Sequence, residues 1–250
     1  MTVKKVDAII QARMGASRLP GKVLLDINGQ TLLEHVIDKL KKSRYIDRII
    51  VATTTDILDD ELVKYCEQKN MLCYRGDVNN VLDRFIKAGE QFQCDKIIRV
   101  CADNPFIDTR LIDEQLKVFV DDESLEYCTY ATADDMPVML KPLGVFVEAV
   151  TMKALRRVAA QADDPKYFEH VTMFIYQHPE FFKIKLMPLD SEINSNYRFT
   201  VDYPEDIAFC AAVMKATNDY SFESLIKLME NNGGLREKNL SFSRAHEKKY

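Results

Sequence analysis

Three cations stand close together near the amino terminus, Arg13, Arg18 and Lys22, and no acidic residue lies between Asp7 and Asp26. Acids outnumber bases over the whole chain, 39 to 34, so this stretch is a local positive field. An apolar run (Val6, Ala8, Ile9, Ile10) leads into it, and the stretch itself carries Gly15, Ser17, Pro20 and Gly21. Glycines let the backbone turn tightly and present N–H groups, which together with the cations suits a polyphosphate. The competing interpretation is a solvated loop with scattered charge. Two carboxylates elsewhere have the right setting for chemistry beside phosphates. Asp103 follows the apolar run 96–101 and is held by Pro105, which suits a metal ligand at a strand end but equally a turn residue. Asp202 precedes Pro204, Glu205 and Asp206, and by itself reads as the N-cap of a helix begun by proline.

The elements that must position these residues follow from apolar spacing. Strands are expected over 5–11, 48–53, 71–74, 96–101 and 126–130, and helices over 60–69 and 81–92. Thr31 and Glu34 form a capping box opening a helix that runs to Ser43. Asp108 caps a further helix through Phe119. Strands alternating with helices in this way imply a Rossmann-like doubly wound α/β fold with a mostly parallel sheet. Ligands of such sheets sit at the carboxyl ends of strands, which places the basic loop, Arg75 and the segment after Val100 on one rim. The second half is less regular. Residues 131–142 have no clear pattern, and strands are expected over 144–150, over 181–189 running back, and briefly over 198–201. Helices are expected over 151–161, 167–177, from Pro204, and over 222–230, followed by a polar, basic tail that is either an arm or loose.

Composition limits the function classes. At 250 residues, 47% hydrophobic and 29% charged, the chain suits one large soluble domain. A net charge of −5 gives no general polyanion surface, so nucleic acid is not an expected partner. No apolar run approaches a membrane span, and a strand begins too early for a signal peptide, so a cytoplasmic protein is expected. Six cysteines lack any C-x-x-C pair and read as buried, reduced thiols. The Walker loop is excluded, since five residues separate Gly15 from Gly21 and Val23 follows Lys22. The dinucleotide pattern G-x-G-x-x-G is absent, and so is D-x-D, with which glycosyltransferases of related fold hold their metal.

The loop Ala12, Arg13, Gly15, Ser17, Arg18, Pro20, Gly21, Lys22 resembles the A-R-x-G-S-x-R-x-P-G-K signature of the sugar-nucleotide cytidylyltransferases, the group that joins CMP to sialic acid-like and Kdo-like sugars. The similarity is greatest to the branch named for spore-coat polysaccharide biosynthesis protein F, with Ala16 where that branch usually has Ser. It extends from Ile9 to Asp206. It implies a nucleotide-sugar transferase fold with an inserted arm or lobe. Asp103 matches the family's D-x-P and Asp202 its D-x-P-E-D, which implies that both carboxylates ligate the magnesium (manganese in its place) that accompanies CTP. Asp83 and Arg84 resemble the family's nucleotide-side D-R pair, with a helix-surface ion pair as the alternative for Asp83. Arg75 and Arg84 are candidates for a phosphate or the cytosine edge. Lys141, Gly144 and Glu148 resemble P-x-G-x-x-x-E, and Glu169-His170-Val-Thr172 resembles the E-H-V-T of the same branch, which makes Lys141, Gly144, Glu148 and His170 acceptor-side candidates.

The resemblance implies an enzyme that transfers CMP from CTP to a sugar, a 3-deoxy-2-keto acid in relatives, and releases pyrophosphate. Its parts are expected to be a nucleotide-binding portion over 1–130, an acceptor and homodimer lobe over 131–190, a metal-binding segment with closing helices over 191–234, and the tail over 235–250. A degenerate, non-catalytic sugar-nucleotide sensor is disfavoured by the intact Arg13, Lys22, Asp103 and Asp202, and two further rivals stand at this level. One is a nucleotidyltransferase acting on a sugar 1-phosphate or phosphonate; the other is a glycosyltransferase, disfavoured by the missing D-x-D.

Overall fold

Alternation along the first strand sets the two faces of the molecule. In β1 (Val6–Gln11), Ala8 and Ile10 pack to one side and Ile9 to the other, all three fully buried. The computed structural model describes residues 5–189 and 197–245. After β1 come a small hairpin of β2 (Asp26–Ile27) and β3 (Gln30–Thr31), then α1 (Leu32–Leu40), β4 (Ile46–Thr54), α2 (Asp60–Gln68), β5 (Leu72–Gly76), α3 (Val81–Gln91), β6 (Lys96–Cys101), α4 (Thr109–Asp121) and β7 (Tyr127–Ala131). The second half supplies β8 (Glu148–Thr151), α5 (Met152–Gln161), α6 (Pro165–Glu169), α7 (Met173–Gln177), β9 (Ile184–Pro188), α8 (Pro204–Ala216), α9 (Phe222–Asn231) and α10 (Gly233–Ala245).

Among the described residues the main sheet has seven strands in the order β5-β4-β1-β6-β8-β7-β9. β5, β4, β1 and β6 are mutually parallel, β8 lies antiparallel between β6 and β7, and β9 pairs in parallel with β7 at the edge. The fold is therefore the mixed, doubly wound α/β sheet expected. Val36, Ile37 and Leu40 of α1, Leu62 of α2 and Leu116 of α4 cover one face. Leu82 and Phe85 of α3 and Leu155 of α5 cover the other. Each such buried aliphatic or aromatic side chain contributes roughly 2 kcal/mol. A third cluster, with Phe106, Phe146, Phe199 and Phe209, joins α8 and α9 to the end of the sheet.

Local signals held where they were strong. Thr31 and Glu34 do form the capping box, and Asp108 accepts from Arg110 and Leu111 backbone N–H groups. Four expectations need correction. Residues 144–147 are not strand, because β8 begins only at Glu148. The helix expected over 167–177 is two short ones, broken where the β-branched Val171 adopts φ +44°. Residues 198–201 form no strand and pair with none among the described residues. The Val201 N–H instead donates to the Asp103 carbonyl (2.9 Å), and a side chain takes both backbone groups of Arg198. The tail is helical: α10 runs to Ala245 and packs on α8 and α9, and residues 246–250 lie outside the described ones. All six cysteines are free thiols, and four of them are buried.

Candidate active site

The carboxyl ends of β1 and β6 open onto a cavity of about 1040 Å³. The chain leaves β1 at Gln11, and the loop is held in place by Asp59, a buried residue at the start of α2. Its Oδ1 accepts from the Met14 N–H (2.6 Å) and its Oδ2 from the Thr54 N–H (3.0 Å). The loop closes on itself through Gly21 N–H to the Met14 carbonyl (2.8 Å), with Gly21 at φ +71°, a conformation that glycine adopts without strain. Lys22 is thereby turned inward.

The Lys22 ammonium is the meeting point of three distant segments. Nζ lies 2.8 Å from Asp103 Oδ2, 3.2 Å from Asp202 Oδ1 and 2.7 Å from the Val201 carbonyl oxygen. Both carboxylates are largely shielded, with 26% and 13% of the side chain exposed. Burial by itself would lower the Lys22 pKa, but Asp103 and Asp202 outweigh it and hold the value above the ordinary one. Arg18 Nη2 donates to the same Asp202 Oδ1 (2.9 Å), and its guanidinium lies over the Tyr203 ring. The N-cap of α8 is Tyr203 rather than Asp202, and Asp206 completes its capping box. Asp206 Oδ2 accepts from the backbone N–H groups of Asp202 and Tyr203 (2.8 and 2.9 Å), while its other oxygen pairs with Arg198. The Asp202 carboxylate thus faces the cavity cations and leaves the capping to Asp206.

The opposite wall is different in kind. Arg84, on α3, is 3% exposed, and its Nε and Nη1 have no hydrogen-bond partner among the described residues. Burial depresses its pKa and the nearby charge of Arg13 adds to the effect. A buried guanidinium left unsatisfied is costly, and such a group at a cavity wall signals an anionic ligand.

The cavity therefore brings together Ala12, Arg13, Ser17 and Arg18 from the loop with Lys22, Arg84, Asp103 and Asp202. Lys141, Gly144 and His170 also line it. Gly144 sits at φ +66°, and a Cβ there would meet Thr200 Cγ2 at 2.9 Å, so the 144 turn fits closely against the segment leading to Asp202. Four expected site residues are elsewhere. Gly15 is exposed on the loop and does not line the cavity. Arg75 donates to the carbonyls of Thr54 (3.0 Å) and Asp56 (2.9 Å) and pairs with Asp60 (2.7 Å), which spends its guanidinium on the β4–α2 turn. Asp83 pairs with Lys87 one turn along α3 (2.9 Å), the helix-surface alternative. Glu148 is fully buried below the cavity, where it accepts from Arg99 Nη1 (2.6 Å), Tyr127 OH (2.5 Å) and Thr172 Oγ1 (2.7 Å). Arg99 lines the cavity in its place and also donates to Gln11 Oε1.

Sequence reasoning missed Asp59, Arg99 and Arg198. Arg99 was discoverable as a cation inside an apolar strand. Asp59 and Arg198 gave no local sign, because their partners are set by tertiary contact.

A family model of cytidylyltransferases matches residues 8–243. The chain belongs to the cytidylyltransferase family. This cytidylyltransferase is 33% identical to the spore coat polysaccharide biosynthesis protein SpsF of Bacillus subtilis, over 90% of its own length and 93% of the relative's. It is 28% identical to a 3-deoxy-manno-octulosonate cytidylyltransferase of Bdellovibrio bacteriovorus, over 68% and 64% of the two chains. Among solved structures, a cytidylyltransferase from Leptospira borgpetersenii superposes with a TM-score of 0.81 at 26% identity, covering 93% of this chain and 96% of that one. The protein is thus a nucleotidyltransferase that uses CTP, with the fold read from its sequence. No helix among the described residues is long and apolar enough to cross a membrane.

Proposed function

We propose that this cytidylyltransferase transfers CMP from CTP to a hydroxyl of a 3-deoxy-2-keto acid sugar, in the making of a surface polysaccharide or glycan. An acceptor oxygen forms a bond to the α-phosphorus, the bond to the α,β-bridging oxygen breaks, pyrophosphate leaves, and the hydroxyl proton passes to solvent. The observation that carries this reading is the Lys22 ammonium between Asp103 and Asp202, in one cavity with the cations Arg13 and Arg84. Arg13, Arg84 and the loop N–H groups hold the triphosphate, and Lys22 and Arg18 neutralise charge on the leaving pyrophosphate. Lys141, Gly144 and His170, which line the cavity, are the proposed acceptor-side residues, and the printed name of the Bdellovibrio relative supports an acid sugar as acceptor. Glu148 acts at one remove, by holding Arg99.

The site suits a divalent cation. Asp103 and Asp202 already share one positive charge, and no third His, Cys, Asp or Glu gathers with them among the described residues. Two carboxylates together with phosphate oxygens are what magnesium uses, and manganese can replace it. When bound, the metal supplies charge neutralisation at the phosphate and a lowered pKa for the attacking hydroxyl. We further propose a cytoplasmic homodimer formed through residues 131–190, a segment on which Phe181 is an exposed aromatic side chain.

Pyrophosphate release with CTP, ATP, GTP and UTP against a panel of acid sugars and phosphorylated sugars tests the reading. Release is expected with CTP and an acid sugar. Release only with phosphorylated sugars, or equally with all four triphosphates, contradicts it.

A further inference from the structure

The end of the chain, which the loop and metal motifs leave out, is built into the same cavity. Leu240 and Ser243 of α10 line it. One turn earlier, Asn239 is 1% exposed and clamps the backbone of Arg198 on both sides, its Nδ2 donating to the Arg198 carbonyl (2.7 Å) and its Oδ1 accepting from the Arg198 N–H (3.0 Å). This pair of bonds is what a neighbouring strand would give, and it replaces the strand pairing that residues 198–201 lack. From Arg198 the contacts run directly to the carboxylate side of the site. Its guanidinium pairs with Asp206, which holds the Asp202 and Tyr203 backbone N–H groups, and Nη1 lies 3.7 Å from Asp202 Oδ2.

We propose that Asn239 is a positioning residue for the transfer reaction, acting through Arg198 to fix Asp202 against Lys22, so that α10 belongs to the active site. A buried side-chain amide with both groups bonded to one residue's backbone constrains where that residue sits, and a carboxylate displaced by as little as 1 Å loses much of its effect on the transition state. The inference rests on the cytidylyl-transfer reading for its kinetic consequence but not for its structural one.

The test compares two substitutions in one helix. Asn239→Ala removes the clamp. Asn232→Ala removes the side chain that accepts from the Leu235 N–H (3.1 Å) at the start of α10, loosening the same helix without touching Arg198. Asn239→Ala is expected to lower kcat at least about tenfold with KM for CTP within about twofold, the pattern of a lost transition-state interaction. Hydrogen–deuterium exchange over 197–206 is expected to quicken in Asn239→Ala and to stay as in the unaltered protein in Asn232→Ala. Equal losses of kcat in the two variants, or unchanged exchange in Asn239→Ala, would overturn the proposal. Should the unaltered protein release no pyrophosphate with any acceptor, the functional reading fails by itself, and the exchange comparison still decides whether Asn239 holds the Asp202 segment.

Discussion

On the α3 wall of the cavity, Arg84 is buried with two nitrogens unpartnered among the described residues, and Arg13 lies near enough to worsen its position. On the β6 wall, Lys22, Arg18 and Arg198 are matched by Asp103, Asp202 and Asp206 at hydrogen-bond or ion-pair distance. The first wall is unstable by itself and is completed by an incoming anion. The second is already complete and resists rearrangement, as a site that must stabilise a transition state should. Under the proposed function the difference separates binding from chemistry, with the α3 wall expected to set affinity for the triphosphate and the β6 wall the rate.

The sharpest way to break this division is at the carboxylates. Asp103→Asn and Asp202→Asn should each reduce turnover more than a hundredfold while CTP still binds through the α3 wall, as judged by thermal-shift titration. Asp202→Asn should lower the melting temperature only by the loss of its ion pairs with Lys22, Arg18 and Arg198, and not by loss of a helix cap; an active Asp202→Asn enzyme would remove Asp202 from the chemistry. Next in size is Lys22. Loss of one charge aimed at the phosphates costs roughly 3 kcal/mol of transition-state stabilisation, so Lys22→Ala should lower kcat about a hundredfold in steady-state assays. Unaltered turnover would make the loop a structural feature.

Lys22 also fixes the pH behaviour. Burial lowers its pKa, but the Asp103 and Asp202 charges more than reverse that, so the folded value lies above the unfolded one. Its contribution to stability is complete below the unfolded value near ~10.4 and is lost as pH rises through the higher folded value. Melting temperature and kcat should therefore show no loss attributable to Lys22 below about pH 10, and Lys22→Ala should leave the alkaline limb of the melting profile below that pH unchanged.

The α3 wall gives a smaller effect with an opposite sign in stability. Arg84→Met removes a buried cation without partners, so the ligand-free protein should melt higher, by roughly 1 kcal/mol or more. CTP affinity should fall about tenfold to a hundredfold, the worth of a charged hydrogen bond. A variant that melts lower, with CTP affinity unchanged, would show that Arg84 is already satisfied. Smallest is Arg75→Ala. Its guanidinium ties the β4–α2 turn, so CTP affinity should stay within about twofold while the melting temperature drops, as an ordinary surface-network substitution does. A large loss of CTP affinity would return Arg75 to the nucleotide.

How much of this was legible in the sequence followed the range of the interactions. The loop from Ala12 to Lys22, the strand over 96–101, and the caps at Thr31 and Asp108 are written in neighbouring residues, and each lies where it was expected. The pairing of Asp103 with Asp202 was accessible because strand ends of a parallel sheet share a rim. Arg75 and Asp83 were misplaced because a cation at a strand end and an acid at a helix start look the same whether they meet a ligand or a neighbour. Their partners, Asp60 and Lys87, decide the matter, and only coordinates show which are met. Asn239 and α10 were out of reach for the same reason, since the clamp joins residues 41 positions apart. The break at Val171 was hidden by a helical apolar pattern on both sides of it.

The central claim is that the bond broken is at the α-phosphorus of CTP, between the two walls. The most direct measurement follows radiolabel from CTP labelled at the α-phosphorus and, separately, at the γ-phosphorus, with an acid-sugar acceptor. The account predicts α-label in a CMP-sugar product and γ-label in pyrophosphate alone. Gamma-label appearing on the acceptor, or α-label remaining entirely in CTP, would contradict it.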